Sequence, residues 1–164
     1  KTIDMSKYVI HMLYDYIMFR KMRNNIIFEK KQVMMIFDTP LALKYKNEFL
    51  QEFQIEPILI AIKRRIYMLN CFEGIENDIL HQEYSETIPK IIWQEHQLIK
   101  VGRYSTRKSE KMILKGLKGY ALLTGLTEDI LSLLLIGELI HIGSNSSFGF
   151  GRFHLKFMDD ENNN

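Results

Sequence analysis

The sequence predicts an α+β domain of the ferredoxin-like, split βαβ type over residues 30–158. Three observations carry this. From residue 31 the elements run strand, helix, strand, strand, helix, strand. The strand candidates are short apolar or alternating runs, while the two helix candidates carry apolar residues at helical spacing or all round. Apolar residues make up 46% of the 164, enough for a real core.

Each element has its own signals. Ser6 is placed to cap a helix to about Met22, with Val9, Ile10, Leu13, Tyr16 and Ile17 at helical spacing. A short extended piece follows at residues 26–28. Residues 1–29 then read as the tail end of a preceding domain, because they build no unit alone. Gln32–Asp38 is a buried strand stopped by Thr39-Pro40. Pro57 suits the first turn of a helix whose stripe is Ile55, Ile58, Leu59, Ile62, Ile66 and Leu69, closed by Gly74. Lys63, Arg64 and Arg65 mostly leave that stripe and face outward, and Cys71, among Met68, Leu69 and Phe72, reads as core. Residues 75–89 are polar loop. Ile91–Tyr104 and Lys111–Leu123 form two strands around a polar turn, with Gly116 and Gly119 marking a bulge or a close backbone approach. Trp93 reads as core, with a ring that stacks on a ligand as the alternative. Thr127 caps a helix with Glu128 and Asp129 in its first turn, nearly all apolar to Ile140 and ended by Gly143. Gly151–Phe157 is the last strand, and 159–164 a disordered tail.

Charge and cysteine content exclude some classes. A lone cysteine forms no internal disulfide, so a reducing compartment is expected. The Ile130–Ile142 run is too short for a bilayer and carries Glu138; with no secretory leader visible, the chain reads as soluble and cytoplasmic. Net charge is only +2, yet residues 100–118 hold seven basic side chains against Glu110. A basic segment in a balanced chain fits an anionic partner, or else a solvated hairpin. Open faces of ferredoxin-like sheets often bind nucleic acid, as in RRM domains, although fold alone assigns no function.

The stretch HIGSNSSFGFGR at 141–152 joins the apolar helix to the last strand. Its glycines follow a helix and open a strand, the reverse of a P-loop or a dinucleotide fingerprint, so no nucleotide cofactor is expected. It offers backbone N–H groups, the hydroxyls of Ser144, Ser146 and Ser147, the amide of Asn145, and Arg152, all suited to phosphates and riboses. The plain alternative is a helix-to-strand connection with a bulge. The five histidines are scattered, and no metal set is apparent.

These residues resemble the RAMP superfamily of CRISPR-associated proteins. Gly143, with Gly149-Phe150-Gly151, is similar to its glycine-rich loop. Phe37-Asp38-Thr39-Pro40-Leu41-Ala42-Leu43 looks like its F-x-T-P-L-x-L strand end, with Arg64-Arg65 in the following helix. Arg103-Tyr104-Ser105-Thr106-Arg107, then Met112 and Gly116-Leu117-Lys118-Gly119, resembles the hairpin of one branch, the endoribonucleases that process CRISPR repeat RNA, in their C-terminal domain.

The resemblance implies metal-independent RNA cleavage without a cofactor. The ribose 2′-hydroxyl attacks the adjacent phosphate, leaving a cyclic phosphate and a 5′-hydroxyl. That chemistry asks for a base, an acid and cations. His141, beside the loop, is a candidate base, or a helix-end histidine bonded to a carbonyl. His11 and Tyr104 are further candidates. RNA contacts are expected from Gly143 to Arg152, with Phe148 stacking on a base, and from Arg103, Arg107, Lys108, Lys111 and Lys115. Partners implied are repeat RNA and other CRISPR-associated proteins, with room for a homodimer and none for a membrane. Two readings compete with cleavage: a silent RAMP subunit coating guide RNA, and an interaction domain pairing through its sheet.

Overall fold

The computed structural model describes residues 15–20, 32–74, 88–105 and 110–158. The expectations for residues 26–28, the 75–87 loop and the 159–164 tail lie outside these, as do His11, Arg107 and Lys108. Residues 15–20 are helical and form α1. Strand β1 (Val33–Phe37) leads through a short hairpin, β2 (Lys44–Tyr45) and β3 (Glu48–Phe49), into α2 (Ile55–Phe72). Strands β4 (Lys90–Ser105) and β5 (Glu110–Thr124) precede α3 (Glu128–Ile140), and β6 (Phe153–Phe157) closes the fold. The four long strands form one antiparallel sheet in the order β4-β5-β1-β6. This is the ferredoxin-like arrangement, with the first and last strands as neighbours. No described helix is long and apolar enough to cross a membrane.

Alternation decides the faces. In β1 the side chains of Val33, Met35 and Phe37 are buried, and in β6 those of Phe153 and Leu155. They pack under α2 and α3, where Phe37 stacks on Phe53 at 4.7 Å and lies 5.4 Å from Phe153. Residues between them point to the open face. The register sets two rows there, Trp93–Leu122–Met34–Lys156 and Glu95–Tyr120–Ile36–His154.

Thr127 caps α3 as predicted, its Oγ1 accepting from the Ile130 amide at 3.4 Å, and Pro57 lies in the first turn of α2. Other expectations need correction. The β2–β3 hairpin was not legible; its turn, Lys46-Asn47, holds both central residues at positive φ. Helix α3 ends at Ile140, because His141 leaves the helical region at φ 53° before Gly143 is reached. The register irregularity falls in β4, between Ile91 and Trp93, and turns Trp93 outward onto the open face, 49% exposed, instead of into the core. Gly116 and Gly119 are the other predicted kind, places of close backbone approach, to Leu41 and to Glu95. Cys71, Met68, Leu69 and Phe72 are exposed, because α2 runs on past the sheet after Ile62.

Two features hold the end of the sheet where the FDTPLAL segment and the 141–152 loop meet. First, the strip after β1 is tied by backbone. Leu41 and Leu117 exchange two hydrogen bonds, at 2.7 and 2.9 Å, Ser144 donates to the Ala42 carbonyl at 2.7 Å, and Gly151 donates to the Pro40 carbonyl at 2.9 Å. Gly143 and Gly151 have φ of 79° and 75°, and a Cβ on Gly151 would fall 1.8 Å from the Ile142 carbonyl oxygen. Only glycine satisfies both the left-handed backbone and the contact. Second, Glu138, the charged residue in the body of an apolar helix, has a side chain only 5% exposed, with three donors around it. Its carboxylate accepts from Tyr16 at 2.7 Å, from Arg20 at 2.9 Å and from the Leu155 amide. It pins α1, α3 and β6 together, and without those donors a buried carboxylate there would be unfavourable.

Two stability measurements follow. Gly151→Ala lowers stability by about 3 kcal/mol, while Gly149→Ala, at φ 82° with open space around it, loses only ~1 kcal/mol of backbone strain. The Gly149→Ala loss is stability given up to strain that alanine introduces, so thermal unfolding shows a drop in Tm of ~6–12 °C for the first and ~2–4 °C for the second. Burial, reinforced by the bond to Glu138, raises the Tyr16 phenol from 10 to about 12. The folded state therefore favours the protonated phenol, and its contribution is complete below pH 10 and lost between pH 10 and 12. Denaturant unfolding across that window shows a steeper loss for the wild type than for Tyr16→Phe.

Candidate RNA interface and the adjoining cleft

Beyond the sheet, β4 and β5 continue as a two-stranded ribbon. Pairing runs from Lys90↔Thr124 to Ser105↔Glu110, while β1 reaches only Tyr120 to Leu123 of β5. Of the predicted cations on it, the register brings several together. Lys100 lies directly opposite Lys115, and Tyr104 opposite Lys111. All four are exposed, with Tyr104 at 58%. Like charges facing each other across two strands destabilise the pair. A fold tolerates that where solvent or a bound anion lies between them. Exposed Ile113 on the same face adds apolar surface beside the cations.

Arg103 lies on the other face of the ribbon, with Met112 as its partner. Its guanidinium sits over the Phe148 ring, 3.6 Å from the centroid. This cation–π contact joins the ribbon to the 141–152 loop. Phe148 remains half-exposed, so one aromatic face and one cation are presented together. The loop itself contains a short 3₁₀ turn, Ser146–Phe148, flanked by Asn145 and Gly149 in left-handed conformations.

Many of the loop's N–H groups are already used. The amides of Phe148 and Phe150 bond the Asn145 carbonyl, Gly149 bonds Ser146, Ser144 bonds Ala42 and Gly151 bonds Pro40. The Phe150 side chain is 4% exposed and serves the core, which corrects its place among the ligand-facing residues. The loop thus offers an anion its side chains more than its backbone. Exposed Ser144 and Ser147 remain outward, and Arg152 stands at the loop's far end.

His141 is half-buried at the end of α3, and its Nδ1 is enclosed without a hydrogen-bond partner; the carbonyl bond considered for it does not form at that nitrogen. The neighbouring Ile140 carbonyl instead accepts from Arg65 Nε at 3.3 Å, which ties α2 to the end of α3 and gives Arg65 a role the outward-facing reading missed.

The sequence reading also missed a second cluster. An open cleft of about 550 Å³ lies between α1, α3 and the sheet end. Its walls include Tyr16, Arg20 and Glu138 on one side and Asp38, Arg152 and His154 on the other. His154 Nδ1 lies 3.0 Å from Oδ1 and 3.1 Å from Oδ2 of Asp38. Arg152 Nε lies 3.7 Å from Oδ2. The backbone fixes this group, since Phe37↔Phe153 are paired and Thr39 bonds Arg152 twice, through Oγ1 at 2.9 Å and through its amide at 3.3 Å. The signal available in sequence was a histidine at the outward position of the apolar strand FHLKF and an aspartate directly after VMMIF.

The comparisons with known proteins bear on the same region. In fold the chain is similar to a chain of a partial Cas6-RT-Cas1–Cas2 complex, with a TM-score of 0.64 and 13% identity over 92% of this chain and 26% of that one. A chain of the Cas6-RT-Cas1–Cas2 complex gives the same score and identity, again over 92% of this chain, and 16% of that chain is covered. A Cas6 product complex matches at a TM-score of 0.49 and 16% identity, over 76% of this chain and 51% of that one. This chain therefore spans only a part of the length of each. No curated protein matches it in sequence. The model of the CRISPR-associated endoribonuclease Cas6 matches residues 35–153, from within β1, through the ribbon and the glycine loop, to the first residue of β6. That stretch holds nearly every part of the interface just described, and the chain belongs to the Cas6 family.

Proposed function

We propose that this chain binds CRISPR repeat RNA along the ribbon and the 141–152 loop, and that it forms part of a metal-independent endoribonuclease cutting that RNA. The carrying observation is the pair of opposed lysines, Lys100 and Lys115, on a ribbon that continues past the sheet. Two ammonium groups held face to face favour an anion between them, and a phosphate backbone supplies anions in series. Arg103 stacked on half-exposed Phe148 adds a platform for an unpaired base. Family membership supports cleavage as the activity. In the proposed reaction the 2′-hydroxyl attacks the neighbouring phosphate, and the products carry a 2′,3′-cyclic phosphate and a 5′-hydroxyl. Other CRISPR-associated proteins are proposed as partners, in keeping with the complexes that contain the similar chains.

The test mixes the protein with repeat RNA from its own host in EDTA, maps product ends and measures binding against salt. The expected result is one cut leaving a cyclic phosphate. Binding weakens with salt, and Lys100→Ala or Lys115→Ala each lowers the slope of log K against log salt by ~0.7. Tight binding without a cut identifies a guide-RNA coat subunit instead. Binding that ignores salt removes the RNA reading and leaves the interaction-domain alternative.

A further inference from the structure

We propose that the cleft at the sheet end is the proton-transfer site of this cleavage, with His154 as general base, Asp38 as its positioning residue and Arg152 holding the scissile phosphate. The inference rests on the RNA-cleaving reading above and adds the residues that perform it.

The His154 side chain points outward from β6 and is 48% exposed. What fixes its ring is Asp38, both of whose oxygens lie within 3.1 Å of Nδ1. A carboxylate only accepts, so the proton of the neutral imidazole is on Nδ1 and the lone pair is on Nε2. That is the tautomer a base needs, oriented as an aspartate orients a histidine in hydrolytic triads. His154 lies in β6, paired with Ile36, and Asp38 and Arg152 directly adjoin the paired residues Phe37 and Phe153, which holds a reacting geometry more firmly than a free loop does.

Charge and placement agree. The Glu138 carboxylate, which would repel a phosphate, is taken up by Tyr16, Arg20 and the Leu155 amide. The Arg152 guanidinium is 63% exposed and stands beside His154. Phe148 and Arg152 are four residues apart, so at most ~14 Å of chain separates the stacking platform from this arginine.

The step balances without metal or oxidant. The 2′-hydroxyl proton passes to Nε2 of His154 as the 2′-oxygen bonds to phosphorus. The bond from phosphorus to the 5′-oxygen breaks, and the 5′-oxygen takes a proton from water. The imidazolium then returns its proton to solvent. Arg152 balances the charge that builds on the phosphoryl oxygens.

The experiment is single-turnover cleavage of repeat RNA in EDTA, with RNA affinity measured in parallel. Wild type is compared with His154→Ala, His154→Gln, Asp38→Asn and His141→Ala. Glutamine keeps a donor toward Asp38 but has no base. Both His154 variants are expected to slow cleavage by ~10²–10⁴-fold with RNA affinity within about twofold of wild type, and added imidazole restores part of the His154→Ala rate. Asp38→Asn slows cleavage at least about tenfold at unchanged affinity, as loss of an orienting group should. If wild type cuts and His154→Gln cuts equally fast, the proposal is overturned while RNA cleavage stands. A loss in His154→Ala that glutamine repairs makes the residue structural and overturns it too, as does a cut abolished by His141→Ala alone. If wild type binds RNA and does not cut it, the cleavage reading fails and this assignment fails with it.

Discussion

The interface depends on one backbone constraint, the strip Pro40–Ala42 running between β5 and the 141–152 loop. Four backbone hydrogen bonds hold it, two to Leu117 and one each from Ser144 and Gly151. At three neighbouring positions there is no room for a Cβ. Gly116, Gly143 and Gly151 each bring their backbone against its residues, or against a carbonyl beside it, where a Cβ would clash. Such close contacts let a short strip fix two elements at once, the base of the ribbon and both ends of the loop. The FDTPLAL motif is therefore a fastening. Asp38 and Thr39 reach β6 and Arg152, Pro40 and Ala42 accept from the loop, and Leu41 joins β5.

From that anchorage follows the ribbon's reach. Strands of fifteen and sixteen residues exceed what β1 can pair with, so their far halves have only each other. An isolated hairpin is marginal in water, and opposing Lys100 to Lys115 weakens it further. Arg103 on Phe148 is the compensating contact, stitching the ribbon to the loop. An anion along the lysine face would relieve the remaining repulsion, so binding and ordering of the ribbon are coupled in the same direction.

Much of this was legible in the sequence, and the failures have definite causes. The element order, the alternating core positions of β1 and β6 and the Thr127 cap all follow from local pattern, which is why they were readable. Trp93 was misplaced because a single irregularity after Ile91 reverses which way the next residue points, and no glycine or proline marks it. Cys71 was misplaced because a helical stripe does not state where its sheet ends; Met68, Leu69 and Phe72 continue the apolar character into solvent. The Asp38–His154 pair joins residues 116 positions apart. It depends on the register of β1 with β6, which the fold class makes neighbours but does not align. His141 drew attention through its place beside the glycines, whereas contact with a carboxylate belongs to His154.

The glycine loop shows how a motif's composition can point to the right region for a different reason. Glycines and serines together suggest a cradle of free N–H groups around a phosphate. Here the amides of Ser144, Phe148, Gly149, Phe150 and Gly151 are bonded to protein carbonyls, and the glycines exist to let those bonds form. An anion arriving at this loop meets side chains instead: serine hydroxyls, the Arg103 guanidinium over Phe148, and Arg152 at the cleft. Side-chain donors are mobile and spaced along the loop, whereas a backbone nest gathers its donors around one anion. They fit a series of phosphates on a flexible strand better than a single phosphate held tightly. On the function proposed above, the loop guides RNA between the ribbon and the cleft, and the chemistry falls to the groups at the sheet end.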